Sequence, residues 1–312
     1  MKTSAAVTDY VVHNRTLGKK YLWQATLLAA FTRSIGDAAL HRITPAMIKA
    51  FVTHGEVRDI NKRIRYQVLA RFFRHFVVRG RLKASPMPNM VWKRAEASRT
   101  PHIYSECELK RLLAAAPDAT RGRSHIDADT LRTFILLLYG AGLRRGEGIR
   151  LSIDDVDLVQ SLIHVRETKF FKTRIVPISA ELNGVLRPLV QRPRKHAGNS
   201  PAALFAKRDG APLSIGAIKT TFKRLRRHAG LERKGDARNQ PRLHDLRHTA
   251  AVHRVIAWYR SGADLNDLLP KLATYLGHKD LSGTQHYLTM TEELLAEASR
   301  RFETYARGPR HD

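Results

Sequence analysis

The sequence is poor in cysteine, in acidic residues and in long apolar runs, and each shortage excludes a class of protein. Cys107 is the only cysteine in 312 residues, so the chain forms neither a disulfide framework nor a cysteine-based zinc site. No long apolar run is present, and the first residues, MKTSAAVTDYVVHNRT, lack the apolar core of a signal peptide. We therefore expect a protein of the reducing cytoplasm.

Acidic residues are scarce relative to basic ones, and this imbalance indicates a polyanionic partner. The 55 lysines and arginines against 28 aspartates and glutamates give a formal net charge of +27 and an isoelectric point near 10.8. The first hundred residues alone hold 19 basic and 5 acidic residues. We expect the partner to be double-stranded DNA, and we expect the protein to associate with the nucleoid. A purely solubilising charge and an anionic membrane surface are weaker alternatives, and we expect no membrane partner.

The length and a proline-rich segment indicate two domains. A chain of 312 residues exceeds the usual length of one domain. The segment from Ser85 to Pro101 contains three prolines and is typical of a linker. Ser105 and Glu108 then have the spacing of a capping box, which starts a new helix. We place the boundary near residue 98, which gives an N-terminal domain at 1–98 and a second domain at 99–312.

The N-terminal domain is predicted to be helical. We expect residues 1 to about 20 to be poorly ordered, because they are polar. Helix signals begin at Tyr21, and Thr44 followed by Pro45 is typical of a helix start. The segment Asp59–Arg79 has an apolar stripe at helical spacing, formed by Ile60, Ile64, Val68, Leu69, Phe72, Phe73 and Phe76. Its other faces carry basic residues that either contact a DNA backbone or form a solvated face: Lys62, Arg63, Arg65, Arg71, Arg74 and Arg79.

The second domain is predicted to combine helices with a small antiparallel sheet, so the fold class is α+β, mainly α. Strands at Leu162–Glu167 and Thr173–Ile178 form a hairpin whose tip presents Lys169. A short helix beginning near Leu143 places Arg144 beside the positive end of the helix dipole, a favourable position for phosphate. Further helices are predicted at Ser105–Ala115, Asp127–Tyr139, Ala180–Val190 and Ser214–His228.

Six residues suggest phosphoryl transfer when they are taken together. An arginine binds two phosphate oxygens at once, imidazoles titrate near neutrality, and a phenol acts as a nucleophile. Each residue taken singly has an ordinary structural explanation, so only the combination predicts a reaction through a covalent phosphotyrosine. The six are Arg144, Lys169, His244, Arg247, His278 and Tyr287.

The order of these residues resembles that of the tyrosine recombinases, the family of the lambda-type integrases and the Xer proteins. The matching motifs cover roughly Pro101 to Thr291 and comprise Gly142-Leu-Arg144 with Glu147, Lys169 ahead of Arg174-Ile-Val-Pro-Ile, His244-Asp-Leu-Arg247-His248, and Leu276-Gly-His278 followed by Tyr287. The resemblance implies a SAM-like, helical core-binding domain at the N-terminus and a mostly helical catalytic domain, which together close on duplex DNA as a clamp.

The resemblance also implies a role for each of the six residues. The two arginines would stabilise negative charge on the phosphate oxygens. Tyr287 would attack the phosphorus, and Lys169 would protonate the departing 5′ oxygen. The two histidines would hydrogen-bond the phosphate and assist proton movement. Glu147 and Asp155 are interpreted as carboxylates that orient the arginines.

No metal or other cofactor is expected, because arginine and lysine supply the positive charge. His244 and His248 are four residues apart, a spacing that could bind zinc on a helix. The motif lacks the glutamate that zinc peptidases use as a base, and Arg247 would place a cation beside the metal. We therefore expect His248 to pack or hydrogen-bond within the domain.

The predicted function is site-specific cleavage and rejoining of double-stranded DNA through a 3′-phosphotyrosine, in the integration or excision of a mobile element. The alternatives are a type IB topoisomerase-like enzyme that relaxes DNA, and a DNA-binding protein without catalytic activity. The resemblance implies a homotetramer on DNA. A predicted helix at 291–306 has one apolar face, which either docks into a neighbouring protomer or packs on its own domain.

Overall fold

The chain divides into two compact units. The computed structural model describes residues 1–92, 100–122, 124–166, 173–192, 202–233, 235, 239–277, 294–297 and 299–300. The first unit spans Met1–Ser98 and the second begins at Arg99. The boundary predicted near residue 98 lies outside the described residues, and the separate role assigned to each domain stays a prediction. Within the described part of the chain, no helix has the length and hydropathy needed to cross a bilayer.

Four α-helices build the first unit: α1 (Thr3–Thr16), α2 (Leu22–Ser34), α3 (Pro45–Thr53) and α4 (Asp59–Val78). The expectation that residues 1 to about 20 are poorly ordered was wrong, because α1 lies there. Ala6, Tyr10 and Asn14 are spaced four apart and are buried, so α1 presents one face to the core. The helices predicted from Tyr21, Thr44 and Asp59 agree with α2, α3 and α4. The Thr44 hydroxyl caps α3 by accepting from the backbone N–H of Met47.

The apolar stripe of α4 is buried only from the middle of the helix onward. Phe72, Phe73 and Phe76 are fully buried, but Ile60 is 51% exposed, so its predicted place in the core was wrong. The neighbouring helices do not cover the first turn of α4. Arg65 donates to the carbonyls of Phe51 and His54 and therefore holds the end of α3. Among the other predicted basic residues, Arg71 and Arg74 on α4 and Arg79 immediately after it are exposed.

The second unit contains one antiparallel sheet and eight α-helices whose bounds the structure describes. The helices are α5 (Glu106–Ala114), α6 (Ala116–Thr120), α7 (Ala128–Gly140), α8 (Arg145–Arg150), α9 (Ala180–Gln191), α10 (Ile215–His228), α11 (Asp245–Arg260) and α12 (Leu265–Leu276). The strands are β1 (Val156–Asp157), β2 (Leu162–Val165) and β3 (Arg174–Pro177), in the order β1-β2-β3.

The predicted hairpin is confirmed by β2 and β3, which pair with Ile163 opposite Val176. The strand β1 was not predicted, because two residues are too short to show an alternating pattern. The tip of the hairpin, including Lys169, lies outside the described residues. The capping box of Ser105 and Glu108 is confirmed, with both of its hydrogen bonds present.

The core of the second unit holds the end of α7 in place. Phe134 and Leu138 of α7 are buried in the main apolar cluster, so the turn that follows this helix is held firmly. A separate cluster joins α11 to α12 through Val252, Val255 and Leu276. The end of α7, the start of α8 and the end of α12 can therefore contribute to one site.

We predict that Phe72→Ala lowers the free energy of unfolding by about 3–5 kcal/mol, because it leaves a cavity in the first unit. The Phe72 ring contacts those of Tyr10, Phe73 and Phe76, with centroids 5.4, 5.1 and 5.1 Å away. Urea denaturation followed by circular dichroism measures the loss. Arg74→Ala, an exposed change on the same helix, should stay within about 0.5 kcal/mol. Equal losses in the two variants would contradict the assigned core.

Candidate active site

Arg144 lies at the turn between α7 and α8. Gly142 has a positive φ of 58°, and a Cβ at this position would lie 2.7 Å from Leu276 Cδ2, so the turn requires glycine. Arg144 follows as the N-cap residue of α8, as predicted. Its side chain is 39% exposed, which leaves the guanidinium accessible to a ligand.

Glu147 lies at the centre of the site and is almost completely buried, with 3% of its side chain exposed. Its Oε1 accepts from Arg144 Nη1 at 2.8 Å and from Arg174 Nη1 at 3.1 Å. Its Oε2 accepts from the Arg144 backbone N–H at 2.9 Å and from Arg174 Nη2 at 2.8 Å. Burial alone would raise the pKa of Glu147, but Arg174 and then Arg144 outweigh it and lower the pKa to about 2. Glu147 is therefore ionised at neutral pH.

Arg247 projects from the first turn of α11 into the same site. Its side chain is 2% exposed, and its Nη1 lies 4.0 Å from Glu147 Oε2. Nη1 donates to the Gly142 carbonyl at 2.8 Å, and Nη2 donates to the Leu276 carbonyl. Arg247 thus connects α11 to the turn after α7 and to the end of α12.

Gly277 ends α12 in the left-handed conformation, with a φ of 69°. Its carbonyl accepts from Arg144 Nη2 at 2.8 Å. His278 is the next residue in the chain, and it lies outside the described residues together with Tyr287. The described contacts therefore bring the start of the segment that contains both residues to Arg144.

His244 immediately precedes α11 and is near both arginines. Burial of its ring and then the charge of Arg247 lower its pKa, and Arg144 contributes further, although the residue keeps access to solvent. The ring of His248 packs edge-on against it, with centroids 4.9 Å apart. Burial and then His244 lower the pKa of His248 to about 4. Both imidazoles are therefore neutral at pH 7. Among the described residues, no group of three or more metal-ligating side chains forms.

The structure brings together three of the six predicted residues, Arg144, His244 and Arg247. The other three, Lys169, His278 and Tyr287, lie outside the described residues. Glu147 contacts the arginines as predicted. Asp155 does not share this role, because it pairs with Arg166, at 2.8 Å between Oδ1 and Nε.

Arg174 was not predicted from the sequence to be a functional residue. Arg174 occupies the first position of β3 and holds Glu147 with two hydrogen bonds. In the sequence it was only part of the motif after Lys169. Glu147 and Arg174 are 27 residues apart, so no local spacing could have paired them.

Comparison with known proteins identifies the family. Residues 104–293 match the model of the phage integrase family. The chain belongs to this family. The resemblance drawn from the sequence motifs is thereby confirmed, and membership supports a recombinase with a role in site-specific DNA recombination.

Similar proteins extend over most of the chain. Two proteins of Sinorhizobium fredii (strain NGR234), provisionally named integrase/recombinase y4rB and y4rE, are 40% and 36% identical to it. The match with y4rB covers 65% of this chain and 66% of the relative, and that with y4rE covers 95% and 94%. Tyrosine recombinase XerC of Alcanivorax borkumensis is 33% identical over 73% of this chain and 68% of the relative.

Solved structures of phage and transposon integrases share the fold. A Tn1549 transposon integrase in complex with a circular intermediate DNA has a TM-score of 0.65 at 15% identity, covering 97% of this chain and 99% of that one. A lambda integrase tetramer bound to a Holliday junction has a TM-score of 0.62 at 17% identity, covering 92% and 77%. The predicted fold class, mainly helical with a small antiparallel sheet, is confirmed.

We predict that Glu147→Gln lowers the free energy of unfolding at pH 7 by about 3–5 kcal/mol, because it leaves buried Arg174 without an anionic partner. Ionised Glu147 stabilises the fold above the ordinary carboxyl pKa of 4.5, and this contribution is lost as the pH falls towards about 2. The difference from wild type should therefore narrow over that range in urea denaturation. Glu56→Gln, an exposed change, is the control. A loss that does not vary with pH would contradict the ionised state.

Proposed function

We propose that this protein is a site-specific recombinase that cuts and rejoins double-stranded DNA through a 3′-phosphotyrosine, in the integration or excision of a mobile element. One observation carries the proposal. Arg144 and Arg247, which are 103 residues apart in the chain, both lie against the buried carboxylate of Glu147, and His244 lies near both arginines. Two guanidinium groups and an imidazole are the groups that a phosphodiester transition state requires.

In the proposed reaction, the phenolic oxygen of Tyr287 forms a bond to phosphorus while the bond to the 5′ oxygen breaks. The phenolic proton passes to an imidazole of the site, His244 or His278. Lys169 gives a proton to the 5′ oxygen, which leaves as a hydroxyl. Arg144 and Arg247 stabilise the charge on the non-bridging oxygens, and His244 and His278 hydrogen-bond the phosphate. Reversal of these steps with a different 5′-hydroxyl rejoins the DNA. Each step exchanges one ester bond of the phosphate for another, so the number of phosphoester bonds does not change.

The burial of Arg247 adds one requirement to this proposal. Its side chain is 2% exposed, and it donates to two backbone carbonyls. Contact between Arg247 and a phosphate therefore needs a local rearrangement at the end of α12, which supplies one of these carbonyls. The exposed Arg144 can bind phosphate without such a change.

Charge and the similar proteins support DNA as the substrate. A net charge of +27 favours binding to phosphates, with an affinity that falls steeply as the salt concentration rises. The exposed arginines of α4 are available for such contacts. The transposon integrase among the similar structures supports a mobile element as the biological context, and the lambda integrase tetramer supports a homotetramer on DNA. We place this activity in the cytoplasm, at the nucleoid.

Covalent trapping tests the proposal. We predict that the protein forms a protease-sensitive covalent adduct with a nicked suicide substrate that carries its recombination site, and that Tyr287→Phe abolishes the adduct because it removes the nucleophilic oxygen. Denaturing gel electrophoresis measures the adduct. Tyr259→Phe, a change on α11, is the matched control and should retain it. The absence of an adduct on the correct site would contradict the proposed enzymatic activity. It would favour the alternative of a DNA-binding protein without catalytic activity. Relaxation without recombination between two sites would favour the topoisomerase-like alternative.

The predicted C-terminal helix at 291–306 is described only at 294–297 and 299–300. Leu294 is buried in the cluster of α11 and α12. Glu297 is 7% exposed, and its Oε1 accepts from Arg260 at 3.0 Å and from Arg300 at 2.8 Å. These contacts lie within one chain and support packing on its own domain for the start of this segment. We therefore propose that only the residues after Glu297 dock into a neighbouring protomer.

We predict that deletion of 298–312 reduces the tetramer on DNA while single protomers still bind, because Leu294 keeps its place in the cluster and Glu297 keeps its contact with Arg260. Analytical ultracentrifugation of the DNA complex measures the assembly. Deletion of 307–312, beyond the predicted helix, is the control and should assemble normally. Unchanged assembly after the longer deletion would show that this segment does not join protomers.

A further inference from the structure

Arg174 has no role in the proposed chemistry. It nevertheless donates two hydrogen bonds to Glu147, a carboxylate that already has Arg144 as a cationic partner. We infer that Arg174 is a positioning residue that saturates Glu147, so that this carboxylate orients Arg144 without capturing Arg247. The inference rests on the proposed function, because Arg144 and Arg247 are taken as the phosphate-binding residues.

The hydrogen bonds of Glu147 account for its full acceptor capacity. An ionised carboxylate offers about four lone-pair sites, two on each oxygen. Arg144 fills one site on each oxygen, through its side chain and its backbone N–H. Arg174 fills the other site on each oxygen, with distances of 3.1 and 2.8 Å. Arg144 and Arg174 together therefore fill all four acceptor sites of Glu147, and none is left for Arg247.

Arg247 lies just outside hydrogen-bond distance of this carboxylate. Its Nη1 is 4.0 Å from Oε2, while both of its terminal nitrogens donate to carbonyls. A buried carboxylate that loses two donors is strongly destabilised and attracts the nearest cation. If Arg174 were removed, a shift of about 1 Å would convert the contact with Arg247 into a hydrogen bond. That hydrogen bond would hold Arg247 at the carboxylate and oppose the rearrangement that brings it to the phosphate.

Arg174 also touches the two elements that lead to the remaining catalytic residues. It begins β3, five residues after Lys169. Its Nε donates to the Tyr275 carbonyl at 3.1 Å, and its guanidinium packs on Gly277, where a Cβ would lie 3.0 Å from Nη1. A neutral side chain at position 174 would therefore loosen the end of α12 as well as Glu147.

Cleavage rates on DNA-bound protein test the inference. Arg174→Met should slow formation of the covalent adduct about 100-fold with saturating DNA, because small displacements of positioned groups have effects of this size. Arg174→Lys should be intermediate, since lysine keeps the charge without the paired donors. Arg166→Met is the matched control, because Arg166 also pairs with a buried carboxylate, Asp155, but is 60% exposed. It should change the rate less than about threefold.

The pH profile and a double variant separate positioning from a merely structural role. In Arg174→Met the pKa of Glu147 should rise, so the rate should fall at a higher pH on the acid side than in wild type. The double variant Glu147→Gln with Arg174→Met should cleave faster than Arg174→Met alone, because no carboxylate remains to capture Arg247. It also removes both partners of the buried pair, so neither charge is left buried alone.

Three results would overturn the inference. The first is an Arg174→Met rate equal to that of Arg166→Met, and the second is a double variant no faster than Arg174→Met. The third does not depend on cleavage: a crystal structure of Arg174→Met, or of Arg174→Lys if the former does not fold, in which Arg247 keeps its 4.0 Å separation from Glu147. An inactive wild-type protein would instead contradict the proposed function, and the crystal structure would still decide the role of Arg174.

Discussion

The site depends on one buried carboxylate surrounded by guanidinium groups. Transfer of an unpaired carboxylate from water into a protein core is strongly unfavourable, so Glu147 is tolerated only because Arg144 and Arg174 donate to both of its oxygens. The requirement is mutual, because Arg174 is itself largely buried. A single ion-pair network thus fixes the start of α8 and the start of β3. Arg247 joins the start of α11 to the same site through the Gly142 and Leu276 carbonyls.

Backbone carbonyls complete the positioning of the arginines. Gly142 and Gly277 both have positive φ, and their carbonyls accept from Arg247 and Arg144 respectively. Larger residues would be strained at these positions and would also meet Leu276 or Arg174. The tight turn after α7 and the end of α12 are therefore part of the site, although neither glycine carries a reactive group.

Features that depend on neighbouring residues were predicted well from the sequence. The capping box at Ser105 and the proline-initiated helix at Thr44 follow from contacts within one turn, and both are present. The helix α1 was missed, because its polar composition conceals a narrow buried face. Ile60 was assigned to the core because it continues the stripe of α4, but periodicity does not show where the neighbouring helices end.

The sequence by itself determined the basic charge that predicts a polyanionic partner, the order of the predicted catalytic residues and the resemblance to the tyrosine recombinases. Those properties reside in residue types and their order along the chain. Only the tertiary structure decided that Arg174 pairs with Glu147, that Asp155 serves a different arginine, and that Arg247 is buried between two carbonyls. These choices join residues far apart in the chain, and they depend on which helix ends the packed core brings within hydrogen-bond distance.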